Sequence, residues 1–135
     1  MSRPRGPVTA SIQKAWAART RPIPGGHLKW VGGYVLRRGG QTYSPAAVAF
    51  RIRTGRDPEG SVRATCPAFR CVAPEHVDDA AGRARTRAQI RADKGLPPPP
   101  PICKRGHDQA VHGRLLANGA PYCDACANHR EQVVA

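Results

Sequence analysis

The sequence predicts a small α+β protein that is held together by bound metal more than by a large apolar core. Hydrophobic residues make up 40% of the 135 residues, but only two Phe, two Trp, three Tyr and one Met are among them. The 14 prolines and 14 glycines repeatedly interrupt regular patterns. Cysteines and histidines cluster in two short stretches, which is typical of small domains that metal stabilises.

The chain is strongly basic, with a formal net charge of +13 at pH 7 and a pI near 10.8. An excess of this size predicts a polyanionic partner, most simply nucleic acid, because binding releases counterions. The alternative is a basic composition that comes from GC-rich codons, without such a partner.

Membrane insertion and secretion are not expected from this sequence. It contains no run of 18 apolar residues, so we expect neither a transmembrane helix nor a membrane partner. The N-terminus has no apolar signal segment, which predicts a reducing, cytoplasmic compartment. In that compartment the five cysteines are better explained as metal ligands than as disulfides.

Residues 1–26 predict a flexible basic arm that is rich in proline and contains at most a short helix. From residue 27 to 65, apolar alternation broken by two Gly-Gly pairs predicts two or three short strands with tight turns. A helix lies within this region, because Ser44 can cap it, Pro45 can begin it and Gly55 can end it.

Residues 77–94 predict a second helix that carries a basic stripe. Its cations recur at steps of four, four and three residues, which places them on one helix face, with Arg85 on another. We predict that this helix contacts nucleic-acid phosphates through Arg83, Arg85, Arg87, Arg91 and Lys94. The alternative is an ordinary solvated face.

The C-terminal part predicts a separate small module. Residues 95–101, GLPPPPP, form a stiff linker of roughly 15 Å at about 3.1 Å per residue. Residues 102–129 form a short zinc-ribbon-like module, and 130–135 form a tail. A hairpin turn is expected at Asn118-Gly119.

This module contains the clearest metal signal. A Cys-x-x-Cys pair lets two thiolates from one turn reach the same ion, and a Cys and a His upstream complete a tetrahedral set. The predicted ligands are Cys103, His107, Cys123 and Cys126. The alternatives are a redox pair of Cys123 with Cys126, chance spacing, and His112 as ligand in place of His107.

A second set of ligands is predicted around the stretch CPAFRCVAPEH. Cys66, Cys71 and His76 lie five residues apart, and a structural zinc needs a fourth ligand. His27, at the start of the first predicted strand, completes the set. The alternative is a surface histidine with buried, metal-free thiols. In total we predict two structural Zn²⁺ ions.

The stretch 27–77 resembles the HNH or His-Me finger endonucleases. HLKWVG, the turn GRDPEG, the strand VRATC and the loop CVAPEHV follow in the order of that family, with His27 in the place of a cysteine. CKRGH and CDAC resemble its accessory zinc modules. The resemblance covers roughly residues 27–129. It implies a His-Me-finger-like domain in 27–94 that docks on DNA, with a nucleoid-associated location in a prokaryotic or phage-infected cell.

The catalytic positions that the resemblance implies carry unsuitable side chains. Ala64 stands at the position of the general base and cannot take a proton. Arg85 stands at the position of the catalytic metal ligand, but its guanidinium has no acceptor and repels a cation. Ala73 stands in the place of the loop asparagine. We therefore expect a nucleic-acid-binding protein, for DNA or alternatively RNA, without nuclease activity.

Two other functions stay open from the sequence. The first is an active metal-dependent HNH endonuclease with a displaced base, for which His76, His112 or His129 would be needed. The second is a protein–protein adaptor in which the two zinc modules present surfaces to a partner.

Overall fold

Short helices and two-stranded antiparallel sheets alternate along the chain. The computed structural model describes residues 8–128. Its elements are α1 (Ala10–Ala17), β1 (Thr20–Ile23), β2 (His27–Trp30), β3 (Leu36–Arg38), β4 (Gln41–Tyr43), α2 (Pro45–Thr54), β5 (Arg63–Ala64), β6 (Val77–Asp78), α3 (Ala80–Asp93), α4 (Gln109–His112), β7 (Gly113–Leu115) and β8 (Pro121–Cys123). Consecutive strands pair as β1–β2, β3–β4, β5–β6 and β7–β8. The α+β class is therefore confirmed.

Within residues 8–128 no helix has both the length and the hydrophobicity to cross a membrane.

The chain divides into two compact units, one that ends at Arg83 and one that begins at Ala84. The division falls inside α3, whereas the sequence predicts a boundary at 95–101. Gly95, with φ of 73°, follows the end of α3 as expected, and the prolines after it are exposed.

The core of the first unit packs around α2. Ser44 Oγ accepts a hydrogen bond from the Ala47 amide (3.3 Å), Pro45 opens the helix, and Gly55 closes it with φ of 73°. These are the predicted start and end of the helix. The buried hydrophobic residues around it are Ile12, Trp16, Trp30, Leu36, Tyr43, Ala47, Val48, Ala49, Phe50, Val62, Val72 and Val77.

The N-terminal segment is ordered from α1 onward, so the prediction of a flexible arm is wrong for that part. Ile12 and Trp16 lie four residues apart on α1 and both are buried in the core. The Trp16 indole also donates to the Pro45 carbonyl (3.0 Å). Burying a large apolar side chain stabilises the folded state by about 1.5–3 kcal/mol. This burial stabilises α1, although a helix of that length is marginal on its own. Residues 1–7 of the predicted arm lie outside the described range.

The predicted helix at 77–94 begins later, at Ala80, because Val77 and Asp78 pair with β5. Asp79 precedes the helix and is fully buried. Its carboxylate accepts hydrogen bonds from the Gly82 amide (2.8 Å), the Glu59 amide (2.8 Å) and Arg56 (3.2 Å). Burial raises the pKa of Asp79, but these donors outweigh it and hold that pKa below its ordinary value.

The second unit is organised by the β7–β8 hairpin. Its turn lies at the predicted Asn118-Gly119, where Gly119 has φ of 86° and the Leu116 amide donates to the Ala120 carbonyl (2.8 Å). The short helix α4 leads directly into β7, and residues 124–128 after β8 are helical.

Candidate metal centres

Four side chains of the first unit converge on one point. His27, Cys66, Cys71 and His76 place their ligand atoms within 4.8 Å of one another. The Nδ1 atoms of His27 and His76 are 3.0 Å apart, and Cys71 Sγ lies 3.7 Å from the first and 3.6 Å from the second. The structure thus brings together the four residues that the sequence nominates.

The loop after β5, residues 65–73, contains Cys66 and Cys71 and is called the cysteine loop. Backbone pairing between β2 and the cysteine loop brings His27 and Cys71 together. The Trp30 amide donates to the Arg70 carbonyl (2.9 Å), and the Val72 amide donates to the Leu28 carbonyl (2.7 Å). Cys71 lies between these two bonds and is therefore fixed beside β2.

The β5–β6 hairpin closes the other side of the loop. A 3₁₀ turn, Pro74–His76, runs into β6, and the Thr65 amide donates to the His76 carbonyl (2.7 Å). Cys66 follows Thr65 directly, so this bond holds the second cysteine and the second histidine at the same end of the hairpin.

The second unit contains a similar group: Cys103, His107, Cys123 and Cys126. His107 Nδ1 lies 3.4, 3.6 and 3.3 Å from the sulfurs of Cys103, Cys123 and Cys126, in that order. Gly106, with φ of 88°, allows the tight turn in which the Cys103 amide bonds the His107 carbonyl (3.1 Å). Cys123 ends β8, and Cys126 follows in the next helical turn.

Both groups have the dimensions of a tetrahedral metal site. Zinc bonds of about 2.3 Å to sulfur and 2.0–2.1 Å to nitrogen imply ligand separations of about 3.3 Å for N–N, 3.5 Å for N–S and 3.8 Å for S–S. The N–N distance in the first group is 3.0 Å, and the Cys103–Cys126 distance in the second is 3.7 Å. Each group can therefore hold a metal ion. Because protein side chains supply all four ligands, neither site keeps an open position for a reacting water.

The thiols of the second group compete for negative charge. A hydrogen bond from Gln109 Nε2 to Cys123 Sγ (3.3 Å), with help from His107, lowers the pKa of Cys123 to about 6. Partial burial and the neighbouring thiols raise the pKa of Cys126 to about 11. A divalent cation at the centre would offset this repulsion and allow every thiol to bind as thiolate.

The other candidates near this group are not part of it. The His112 ring centre lies 6.1 Å from that of His107, outside the ligand set. Cys123 and Cys126 are free thiols, not a disulfide. His129 lies beyond the described residues.

The cations of α3, and Lys94 directly after it, make contacts within the protein. Three of them bond to carbonyls of the second unit's hairpin: Arg87 to Leu115 (3.0 Å), Arg91 to Gly119 (3.3 Å) and Lys94 to Asn118 (2.9 Å). In the first unit, Arg83 donates to the carbonyls of Ser61 (2.9 Å) and Asp78 (2.7 Å). Arg85 is exposed. Hydrogen bonds to carbonyls hold these cations in position but leave their positive charge unneutralised. Phosphate binding by the predicted set of four arginines and Lys94 therefore stays a prediction.

A second cationic region extends well beyond the basic arm that the sequence predicts in residues 1–26. All nine acidic residues lie from Asp57 onward, so the first 56 residues contain no acid, although they carry half of the 22 Lys and Arg. On the β1–β2 ladder Arg21 lies directly opposite Lys29, and β3 presents Arg37 and Arg38. All four are exposed, and within residues 8–128 none of them forms an ion pair. The sequence signal for the full extent of this region is the position of the first acid, Asp57.

Comparison with protein-family models, with curated proteins and with solved structures found no match for this chain. The functional assignment therefore depends on the clusters and surfaces described above.

Proposed function

We propose that this protein binds nucleic acid, most simply double-stranded DNA, on a scaffold that two structural zinc ions stabilise. The observation that carries the proposal is the unneutralised charge of the first unit, above all the cross-strand pair of Arg21 and Lys29. Like charges directly opposite one another destabilise a sheet. A two-stranded sheet that nevertheless keeps such a pair is suited to a polyanionic partner, because phosphates offset the repulsion.

Zinc is the ion that we propose for both sites. Closed tetrahedral sets of thiolate and imidazole ligands favour zinc over the hard cations, which prefer oxygen ligands. The second site offers three sulfurs and one nitrogen, and the first offers two of each. With no coordination position left for water, we assign both ions to stabilisation and not to hydrolysis.

We further propose that the first unit is a His-Me-finger-like scaffold that lacks nuclease chemistry. In support, the β5–β6 hairpin encloses the Cys/His loop and is followed by α3, in the order that the resemblance implies. Ala64 on β5 and Arg85 on α3 stand where the resemblance implies the base and the catalytic metal ligand. His76 directs Nδ1 at His27 and Cys71, so it serves as a zinc ligand and not as a replacement base.

Salt dependence of duplex binding tests the main proposal. Fluorescence anisotropy with the zinc-loaded chain should give a log–log slope of about −0.9 for each phosphate neutralised. Replacing Arg21 and Lys29 by Ala should reduce the size of that slope by about 1 for each cation removed. The matched control, Lys104→Ala with Arg105→Ala, removes the same charge from exposed positions of the second unit. Absence of duplex binding at low salt would contradict the proposal and favour the adaptor.

The absence of nuclease activity is tested separately. Plasmid DNA incubated with the protein and Mg²⁺ or Mn²⁺ should stay supercoiled. Metal-dependent nicking that His76→Ala abolishes, in a variant whose remaining fold is intact, would show an enzyme with a displaced base.

A further inference from the structure

The first unit contains an apolar cavity of about 590 Å³ beside the metal cluster. This volume lies within the range of small-molecule sites, about 300–1,000 Å³. The cavity is bounded by the loop after β2, the start of α2, β5 and the end of the cysteine loop. Its lining includes Trp30, Tyr34, Pro45, Val62, Ala64 and Val72. No acidic residue lines it.

An exposed but firmly positioned aromatic ring stands at the mouth of the cavity. Tyr34 is 84% exposed, and the guanidinium of Arg70 lies over its ring at 5.0 Å. Arg70 also donates to the Gly32 carbonyl (2.6 Å), and the Trp30 indole donates to the Gly33 carbonyl (2.6 Å). One bond from a distant residue, Arg70, and one local bond from Trp30 thus hold the loop that carries Tyr34, so its ring is presented to solvent on a fixed backbone.

Backbone strain accompanies this arrangement. Arg70 has φ of 57°, and among residues 8–128 it is the only residue other than glycine with positive φ. The left-handed region disfavours side chains with a Cβ, and such strain persists where surrounding contacts enforce it. The bond from the Trp30 amide to the Arg70 carbonyl (2.9 Å) helps to hold Arg70 in this conformation, while its side chain contacts the Tyr34 loop.

The charge at the cavity limits what can fill it. Arg63 and Arg70 both line it, and the exposed side chain of Arg63 forms no hydrogen bond or ion pair within residues 8–128. A suitable ligand combines a flat apolar ring for the cavity and Tyr34 with an anion for the two guanidinium groups. A nucleotide has both parts, since every base has a face for stacking and every linkage carries a phosphate. An apolar side chain of a partner protein would fill the interior but would bring no anion.

We propose that this cavity receives one unpaired base of a nucleic acid, with the adjacent phosphate bound by Arg63 and Arg70. The proposal rests on the proposed nucleic-acid binding and adds the substrate feature that this site selects: an unpaired nucleotide within or beside a duplex. The apolar lining receives any of the bases, so selection is for the unpaired state and not for a sequence.

Three duplexes of the same sequence test this with the full zinc-loaded chain. One is fully paired, one carries a single extra 2-aminopurine as a bulge, and one carries an abasic nucleotide at that bulge. We expect the base-containing bulge to bind about fivefold or more tightly than either of the others. The emission of 2-aminopurine should change on binding as the base leaves its DNA neighbours. The abasic duplex controls for bending at the bulge.

Variants locate the effect in the cavity. Tyr34→Ala and Ala64→Phe, which remove the ring and fill the interior, should abolish the preference and leave paired-duplex affinity unchanged. Tyr34→Phe should keep the preference. Phe69→Ala is the matched control, because Phe69 is 74% exposed in the same unit but does not line the cavity. Zinc content and Trp fluorescence verify that each variant is folded.

The outcomes separate this inference from the proposed function. Equal affinity for all three duplexes, with normal salt dependence, overturns the cavity proposal and leaves nucleic-acid binding in place. A preference that persists in both Tyr34→Ala and Ala64→Phe also overturns it, because the base then binds elsewhere. No binding to any of the duplexes overturns both proposals.

Discussion

The two metal clusters use the same types of ligand but lie in different surroundings. In the first unit, Cys71 is 3% exposed and adjoins a buried core that includes Trp30 and Val72. In the second unit, up to residue 128, no hydrophobic side chain is buried, and all four ligands are half-exposed. The comparison indicates that a bound metal would reinforce an existing core in the first unit and would replace a core in the second.

Metal removal is the strongest way to test that contrast. A strong chelator should unfold the second unit, because structural zinc contributes about 10–16 kcal/mol of apparent binding free energy in zinc-finger peptides. The first unit should lose its cysteine loop but keep α2 around Phe50, which is fully buried. Hydrogen exchange with mass spectrometry would show amides of β7 and β8 exchanging freely while those of α2 stay protected. Simultaneous loss of protection in both units would contradict the contrast.

A metal-independent polar network should stabilise the first unit alone. Asp79→Asn replaces a carboxylate oxygen that accepts from both Glu59 and Arg56. We expect a loss of about 2–3 kcal/mol in the free energy of unfolding, since buried donors are left unpaired. Urea unfolding followed by Trp fluorescence measures this, because both tryptophans lie in the first unit. Zinc content should stay at two per chain, and loss of either ion would contradict a metal-independent role.

The contribution of Asp79 has a defined pH dependence. Its pKa in the folded protein is lowered, so the stabilisation is fully present above the unfolded pKa of about 3.9 and is lost as pH falls through the folded value. The stability difference between wild type and Asp79→Asn should therefore be constant above about pH 5 and shrink below about pH 4. Using the difference removes the effect of acid on the zinc ligands, which both proteins share. A difference that grows toward low pH would contradict this assignment.

The smallest expected effect concerns the second metal site. Gln109→Leu removes the hydrogen bond to Cys123 Sγ and the one to the His107 carbonyl (3.1 Å). Loss of one such outer contact typically weakens metal affinity about 10- to 100-fold, and we expect the lower end because Gln109 is partly exposed. Competition with a chromophoric chelator measures the affinity of each site. An equal weakening of the first site would show that the effect is not local.

Much of the metal chemistry could be predicted from the sequence because its signals are local. Cys66, Cys71 and His76 are regularly spaced, and Cys123 and Cys126 form a recognisable pair. The need for a fourth ligand predicts His27, and the structure places it with the other three. The ends of α2 were equally local, since Ser44, Pro45 and Gly55 act through their own backbone geometry.

The parts that could not be predicted depend on contacts between distant residues. Trp16 is ordered by a bond to Pro45, 29 residues away, which no local pattern reveals. Periodicity places Arg87 on a helix face, but its partner Leu115 lies 28 residues further along the chain. Helical spacing predicts the direction in which a side chain points but not the residue that it contacts. The absence of acids from the first 56 residues, by contrast, is a local signal, of which the predicted basic arm covers only residues 1–26.

The distances along the chain within the two clusters have a consequence for folding rates. His27 and His76 are 49 residues apart, whereas Cys103 and Cys126 are 23 apart. Closing the longer loop costs about 0.6 kcal/mol more for each doubling of length, and pairings between distant residues form slowly. During synthesis the acid-free segment leaves the ribosome before His76, and its site cannot close until His76 has emerged. We therefore expect the newly made chain to pass through a stage in which its most cationic half is exposed, unfolded and next to ribosomal RNA.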